Sequence, residues 1–451
     1  MKKNWACLII LVMLVMTHPG YAQSTIVKQL TGVNQLKEVF DKLFTKILSP
    51  DELKLSQGVH ANHFVDASIE ANRLLTPALN TLIASNISSF PLTSTIVGSE
   101  LDWSSGRPVS TKQSLGPIFA ETAETLGKGK FNVGFEFSHL SLNRFRGIPT
   151  RDIRFTFAHE DIIEDGKPLG DDPFELDVID LNLDLDVNAN IYVFFATFGV
   201  TNRFDIGIAA PFVNVSLSGT AQAIIRGPAS GVAHVFVGGT TNNPSVVDRV
   251  SYNENASGIG DLAVRLKYGF VRGPDINLGA LLDVRLPTGD ENNFLGTGEA
   301  STKLSLIASR KIAQFTPHLN LGYDRRSDTR DSDELEFTAG LDQKLAEGFT
   351  LAVDFLGEID VNSDKAIKFF SRETVTLADR LSAGNPNVTI NRPEDLTSIP
   401  QRNNDNTLSA AIGIRIAPSE KILFLGNVLV PMNDGGLRSS VVPTIGLTVN
   451  F

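Results

Sequence analysis

The sequence predicts an all-β membrane protein, an antiparallel transmembrane β-barrel of about twelve strands preceded by a small helical N-terminal segment. Three observations predict this fold. The chain begins with a secretory signal, apolar residues alternate with period two from residue 128 onward, and the connections between these stretches alternate between short and long. The C-terminus shows the pattern: in TIGLTVNF, Ile445, Leu447, Val449 and Phe451 share one face, as expected for a strand with one apolar side.

Residues 1–22 are expected to be a cleaved signal peptide. Lys2 and Lys3 precede the apolar run ACLIILVMLVM, and Gly20 and Ala22 occupy the small-residue positions of a cleavage site. The run has about half of the roughly 20 residues that a membrane-spanning helix needs, so a retained anchor is not expected. The only cysteine lies in this run, so we expect no disulfide, cysteine nucleophile or thiolate metal site in the mature chain.

The net charge and the apolar runs of the chain after the signal peptide narrow the possible partners and the possible ways of crossing a membrane. Loss of the two signal-peptide lysines changes the net charge from −11 to −13, which argues against a basic surface that binds nucleic acid. After the signal, no stretch approaches about 18 consecutive apolar residues, so a chain that crosses the membrane must close its strands into a barrel to pair every backbone group.

Residues 23–113 are expected to form a helical segment with a linker, ahead of the barrel at 114–451. An apolar stripe recurs at helical spacing along Leu36, Phe40, Leu43, Phe44 and Ile47. A second helical stretch covers about 61–85, and 86–113 is rich in Ser, Thr, Pro and Gly. The stripe needs a partner surface. Two interpretations remain open, a plug that enters the lumen from the periplasmic rim and a periplasmic segment that packs on itself.

Strands are expected at 128–143, 177–200, 203–224, 258–271, 275–288, 301–312, 315–326, 333–345, 348–360, 406–417, 420–432 and 439–451. Their long connections, at 144–176, 225–257, 289–300 and 361–405, are expected to be extracellular loops. Short turns on one rim, long loops on the other and an even strand number are typical of outer-membrane barrels. A soluble β-sandwich is the alternative, because its strands also alternate.

Two features depart from the usual barrel pattern. The chain has 28 Phe but only 5 Tyr and 2 Trp, so phenylalanine is expected to replace part of the aromatic belts. Near Pro211 the apolar register moves from Phe204 and Ile208 to Val213 and Leu217, which predicts a bulge in the third strand.

The predicted strand registers place charges of both signs inside the barrel as a possible permeation path. These lumen-lining residues are Glu136, Asp205, Asp261, Arg265, Lys267, Asp283, Arg285, Lys303, Glu336, Asp342, Asp354, Glu358 and Arg415. Opposite charges in a narrow interior can also simply satisfy one another, so a structural role stays open. In the long loops, Phe236, Phe369 and Phe370 are candidate apolar contacts for a solute, with loop packing as the alternative.

No catalytic, cofactor or metal site is expected. His318 falls on an interior strand face, with Asn320 and Asp324 nearby on that face, and is interpreted as a hydrogen-bonded lumen residue and not as part of a catalytic site. His60 and His63 in HANH lack a third ligand at a recognisable spacing and are expected on the surface of the N-terminal helix.

Four stretches resemble a known family: SLGPIFAETAETLGKGKFNVGFEF (114–137), FFATFGVTNRFDIGIAAPF (194–212), GIGDLAVRLKYGF (258–270) and LLDVRLPTGDENNFLGTG (281–298). They are similar to the outer-membrane barrels assigned to the meta-cleavage pathway of phenol degradation. The likeness covers the chain from about residue 114 and rests on turn and strand signatures. It implies a barrel related to transporters of fatty acids and aromatic hydrocarbons, and it supplies no catalytic residues.

The expected function is passive uptake or efflux of small, hydrophobic or aromatic molecules across the outer membrane of a Gram-negative cell. The alternative is a structural or adhesive barrel whose extracellular loops bind a partner. The expected partners are outer-membrane lipid and lipopolysaccharide, the barrel assembly machinery and small hydrophobic solutes, and the chain is expected to be a monomer.

Overall fold

The computed structural model describes residues 27–55, 62–91, 101–102, 109–110, 114–159, 177–227, 232–239, 243–273, 275–326, 332–361, 373–379, 388–419 and 421–451. The predicted signal peptide, His60, Phe369 and Phe370 lie outside these ranges. Within them, no helix has both the length and the apolar character that a membrane crossing requires.

Twelve long strands within the described residues form a closed antiparallel barrel, which confirms the predicted fold class. They are β1 (Phe131–Phe145), β2 (Val178–Gly199), β3 (Phe204–Arg226), β4 (Val247–Ile259 continued by Leu262–Arg272), β5 (Ile276–Leu286), β6 (Ser301–Arg310), β7 (Phe315–Arg326), β8 (Glu334–Ala346), β9 (Phe349–Asp360), β10 (Thr407–Ser419), β11 (Ile422–Pro431) and β12 (Val442–Asn450). Each strand pairs with the next, and β12 pairs with β1 through Thr444 opposite Ser138. Closure matters because lipid offers no partner for a free sheet edge.

The outer surface of the barrel is apolar. Ile445 on β12 is 60% exposed and Phe451 is 70% exposed, whereas Thr444 and Thr448 on the opposite face are buried. The alternation at the C-terminus therefore directs its apolar side chains outward, as a lipid-facing strand does. Phenylalanine contributes to this outer surface on several strands, for example Phe194, which is 56% exposed.

The second and third strands form a tall wall on the side of the long loops. β2 has 22 residues and β3 has 23, whereas about ten residues of a tilted strand cross the hydrocarbon core. The first part of β4 extends this wall, since Val247–Ile259 pairs with β3 in unbroken register. The predicted loop at 225–257 is therefore too long, because residues 247–257 belong to a strand.

The projecting wall turns its apolar side inward. Leu181, Leu185 and Val187 are buried, while Asp184 and Asp186 lie on the outer face, where Arg151 forms ion pairs with both. A strand in lipid has the opposite arrangement, with apolar side chains outside. The wall thus provides an apolar inner surface above a charged lumen.

The predicted bulge near Pro211 lies in the neighbouring strand instead. β3 pairs with β2 without a register shift across this proline. The extra residue is in β4, where Gly260 and Asp261 separate its two parts, and the Gly260 N–H donates to the Pro211 carbonyl at 2.8 Å. Because Pro211 has no N–H to offer β4, the pairing breaks on that side only.

The N-terminal helices pack against the inner face of the wall. Helix α1 covers Glu38–Ile47 and helix α2 covers Val65–Ser88, with Pro77 inside α2. The predicted stripe of α1 is fully buried, and the ring of Phe44 contacts the rings of Phe155 and Phe157 at 6.2 and 6.3 Å between centroids. The stripe therefore meets an apolar surface and not the charged lumen.

Short elements connect this segment to the barrel. Lys28–Gln29 pairs in parallel with β4 at Val250 and Ser251, on the edge of β4 that extends beyond β5. The other short elements are the strands Leu53–Leu55, Leu101–Asp102, Val109–Ser110, Ile148–Pro149, Ile153–Ala158, His234–Phe236, Glu373–Asp379, Val388–Glu394 and Leu437–Ser439, and the 3-10 turns Asn62–Phe64, Thr150–Asp152 and Glu291–Asn293. The first barrel strand begins at Phe131, close to the predicted start at residue 128.

Candidate functional site

Residues 114–126, which we call the lumen segment, lie inside the barrel and are held by side chains of the barrel strands. One attachment is Asp354 on β9, which is fully buried. Its Oδ2 atom accepts hydrogen bonds from the backbone N–H groups of Ile118 (3.0 Å), Phe119 (2.7 Å) and Ala120 (3.2 Å). Three backbone donors on one carboxylate fix both the position and the direction of the segment.

His318 joins Asp354 to a second carboxylate. Its Nε2 atom lies 2.7 Å from Asp354 Oδ1, and its Nδ1 atom lies 3.2 Å from Asp342 Oδ1. This confirms the prediction of a hydrogen-bonded lumen residue. The hydroxyl of Ser114 donates to Asp342, so the imidazole does not activate it as a base would in a nucleophilic site. The hydrogen-bonded cluster of His318, Asp342 and Asp354 holds the lumen segment in place.

Glu121 is a central charge of the lumen segment that sequence reasoning missed. It pairs with Arg265 at 2.7 Å and with Lys267 at 2.9 Å, and all three side chains are largely buried. Burial alone would raise the pKa of Glu121, but the charges and hydrogen bonds of Lys267 and Arg265 hold this pKa at about 2. No motif marks this glutamate, because its partners lie about 145 residues away on β4.

Substitution Glu121→Gln is expected to loosen the lumen segment at neutral pH. A carboxylate whose pKa is lower in the folded state stabilises the fold above its unfolded-state value of 4.5 and loses this contribution as the pH falls toward 2. Single-channel recordings should therefore show wild-type conductance unchanged between neutral pH and 4.5, whereas the variant conducts more at neutral pH. Glu347→Gln, at a side chain that is 83% exposed, is the control. Equal conductance of Glu121→Gln and wild type would contradict the anchoring role.

Both ends of the lumen segment are held in the same way. The Leu126 N–H donates to Asp205 Oδ2 on β3 at 2.9 Å, and the Arg415 guanidinium donates to the Leu115 carbonyl at 3.2 Å. The Leu115 N–H donates to the Thr350 hydroxyl at 2.9 Å. The segment is thus attached to β3, β4, β9 and β10, on several sides of the lumen.

The predicted lumen-lining residues all lie on the inner side of the barrel, but their contacts differ. Asp205, Arg265, Lys267, Asp342, Asp354 and Arg415 contact the lumen segment. Charges also pair across strands, as in Lys303 with Glu336 at 3.0 Å and Arg265 with Asp283 at 3.3 Å. The Glu358 carboxylate accepts a hydrogen bond from the Thr407 hydroxyl at 2.6 Å. Asp261 accepts the N–H groups of Gly289 and Thr297 and so fixes the loop after β5. Glu136 is buried, and Arg285 donates to the Ser88 carbonyl at the end of α2.

Three adjoining cavities among the described residues lie beside the C-terminal end of α2. The first lies between Phe90, Leu140 and Leu429. The second is lined by Phe119, Leu281 and Phe337 together with the predicted residues Arg265, Asp283, Arg285, Lys303, Glu336 and Glu358. Leu356 lines both of these. A third shares Arg285 with the second and includes Asp261. The walls of the first two cavities combine apolar side chains with charges, whereas the third is lined mainly by polar and charged side chains.

Two predicted side chains lie elsewhere than expected. Phe236 is 1% exposed, in a strand that pairs with Leu53–Leu55 of the N-terminal segment, so its ring packs inside the protein and does not offer a surface to a solute. His63 is 7% exposed, and the prediction that it lies on the surface is wrong, because the turn that carries it folds against the rings of His159 and His234.

In a comparison with known protein families, residues 171–376 match the family model described as "Putative MetA-pathway of phenol degradation". This match confirms the resemblance drawn from residues 194–212, 258–270 and 281–298. No curated protein matches the chain.

Several solved outer-membrane structures are similar to the chain. An outer membrane channel from Pseudomonas putida matches at 11% identity over 73% of this chain and 98% of that chain, with a TM-score of 0.40. A FadL homologue from Pseudomonas aeruginosa matches at 8% identity over 72% and 90%, with a TM-score of 0.31. The toluene transporter TbuX from Ralstonia pickettii matches at 10% identity over 72% and 89%, with a TM-score of 0.21. The assignment of the fold rests on the strand pairing of the chain itself.

Proposed function

We propose that this protein is a monomeric outer-membrane channel that passes small, hydrophobic or aromatic molecules passively, with its N-terminal segment as a plug. The observation that carries the proposal is a closed barrel whose outer surface is apolar and whose interior holds a separately attached chain segment. A barrel of about twelve strands is wider than the eight-stranded type that side chains alone can fill, so its interior accommodates a plug or a path.

The cavities beside α2 support a path for a small solute. They adjoin one another through Leu356 and Arg285, and rings such as Phe119 and Phe337 alternate with paired charges in the second cavity. Pairs such as Lys303 with Glu336 reduce the cost of an apolar solute passing charged groups, since each charge already has a partner. The phenol-degradation family match and the aromatic solute named for the toluene transporter agree with this class of solute.

The plug role is supported by the two kinds of contact that hold the N-terminal segment. The helices pack on the apolar inner wall at the long-loop end, and the lumen segment is hydrogen-bonded to charged side chains lower in the barrel. Because the first barrel strand starts at the short-turn rim, the preceding chain enters the barrel there. The short turns are taken as periplasmic, as in other outer-membrane barrels.

The uptake of labelled toluene or fatty acid by a deletion strain tests the transport proposal. We expect Leu356→Trp to reduce uptake severalfold, because the larger ring fills the junction of two cavities. Leu335→Trp is the matched control, since Leu335 faces outward and is 50% exposed. Cells that carry this variant should take up as much solute as cells with the wild-type protein. Uptake by the deletion strain equal to that of the complemented strain would reject the transport role and favour a barrel whose loops bind a partner.

A further inference from the structure

Three buried histidines meet at the long-loop end of the barrel, outside the lumen. His63 belongs to the turn Asn62–Phe64 of the N-terminal segment, His159 follows the strand Ile153–Ala158, and His234 begins the strand His234–Phe236. Their exposed fractions are 7%, 4% and 0%. One ring nitrogen of each lies within 4.8 Å of a nitrogen of the other two. Three separate parts of the chain therefore present imidazole nitrogens to one point.

The distances suit a metal ion. His63 Nδ1 and His234 Nε2 are 3.0 Å apart, and two nitrogens that bind one tetrahedral zinc ion at about 2.0–2.1 Å would be roughly 3.3 Å apart. The three ring centroids are 4.6 to 5.1 Å from one another. Small movements of the rings would bring the nitrogens to ligand distance.

A carboxylate behind one ring strengthens this interpretation. Asp177 is fully buried, and its Oδ2 atom lies 3.0 Å from His234 Nδ1 while it also accepts the N–H groups of Ala233 and His234. An imidazole that donates Nδ1–H to a carboxylate keeps its Nε2 lone pair free, and Nε2 is the atom that points at His63. Metal-binding histidines are commonly oriented in this way.

We propose that His63, His159 and His234 bind a divalent transition-metal ion of the class that prefers imidazole, with Zn²⁺ as the representative, and that Asp177 positions His234. Neutral imidazoles with one nearby carboxylate favour Zn²⁺, Cu²⁺ or Ni²⁺ over Ca²⁺ or Mg²⁺, which prefer oxygen ligands. The ring of Phe64 packs on His159 and His234 at 5.2 and 5.5 Å and shields the site from water.

Such an ion would clamp the N-terminal segment to two long loops. The strand pair of Leu53–Leu55 with His234–Phe236 already joins these parts next to the histidines. A metal bond adds a crosslink between chain positions that are 171 residues apart in the case of His63 and His234. The metal site goes beyond the proposed channel function, and only the effect of the clamp on conductance rests on it.

The site is tested with full-length protein purified in detergent through a tag that contains no histidine. After treatment with EDTA, titration with Co²⁺ should produce the visible absorption of a tetrahedral nitrogen site, and titration with Zn²⁺ should reach one ion per chain by calorimetry. His63→Ala, His159→Ala and His234→Ala should each lose this binding, and Asp177→Asn should weaken it about 10- to 100-fold. His139→Ala, which alters a histidine bonded to Asn190 on the barrel, should bind like wild type.

Heat-modifiable migration on gels shows whether each variant retains a folded barrel, so loss of binding is read only from folded protein. Absence of the cobalt spectrum in wild type, or equal binding by wild type and the three alanine variants, would overturn the site and leave a hydrogen-bonded histidine cluster. Zn²⁺ should also lower the conductance of wild type in planar bilayers and leave His159→Ala unaffected. Binding without a change in conductance would overturn the clamp role, and this outcome is independent of the uptake assay.

Discussion

Deletion of residues 24–110 is expected to open the long-loop end of the barrel and to raise its conductance. The deletion removes both helices and with them the packing that fills the mouth of the barrel inside β2, β3 and β4. We expect single-channel conductance in planar bilayers to rise about tenfold or more, because the helices no longer fill the mouth of a barrel that is wider than the packed eight-stranded type. The lumen segment stays in this variant, so the rise measures the contribution of the helices alone.

The deletion also uncovers the apolar inner face of the wall, so its fold must be checked first. Heat-modifiable migration and resistance of the barrel to protease are the controls, because both report closure of the sheet. Unchanged conductance in a folded barrel would reject the plug and would leave the segment as a docking unit at the membrane surface.

Replacement of Asp354 by alanine is expected to destabilise the protein by about 3–5 kcal/mol, since removal of one member of a buried charged cluster leaves its partners unpaired. Three backbone N–H groups of the lumen segment and the Nε2 atom of His318 lose their acceptor in this variant. The temperature at which the folded band is lost on gels should fall, and conductance should rise because the segment is released.

Asp354→Asn should have a smaller effect, because its amide oxygen still accepts a hydrogen bond. Asp275→Ala is the matched control, since this aspartate lies exposed in the turn between β4 and β5, and it should behave as wild type. A loss of stability in Asp354→Ala without any rise in conductance would mean that Asp354 supports the wall and not the position of the lumen segment.

A double variant that combines the deletion of residues 24–110 with Asp354→Ala separates the contribution of the helices from that of the lumen segment. If the helices narrow the long-loop end and the lumen segment narrows the other end, the double variant should conduct more than either single variant, because two constrictions in series both limit the current. An equal conductance of the double variant and the deletion would place the whole resistance in the helices.

The sequence by itself determined the barrel. Alternation with period two and the lengths of connections are local properties, and both can be read without knowing which strands meet. The last strand illustrates this: Ile445, Leu447 and Phe451 were expected on one face, and that face is exposed. The short turns also fall where expected, for example between β2 and β3 at residues 200–203.

The tertiary structure alone decided what the interior contains. Alternation shows that Leu181 and Asp184 lie on opposite faces, but it does not show which face is inside, and that depends on whether lipid or helix α1 covers the strand. The ion cluster of Glu121 and the cluster of His63, His159 and His234 each contain at least one pair of residues that are more than a hundred positions apart in the sequence. No spacing in a sequence encodes such a meeting, because it results from the path that the N-terminal segment takes through the folded barrel.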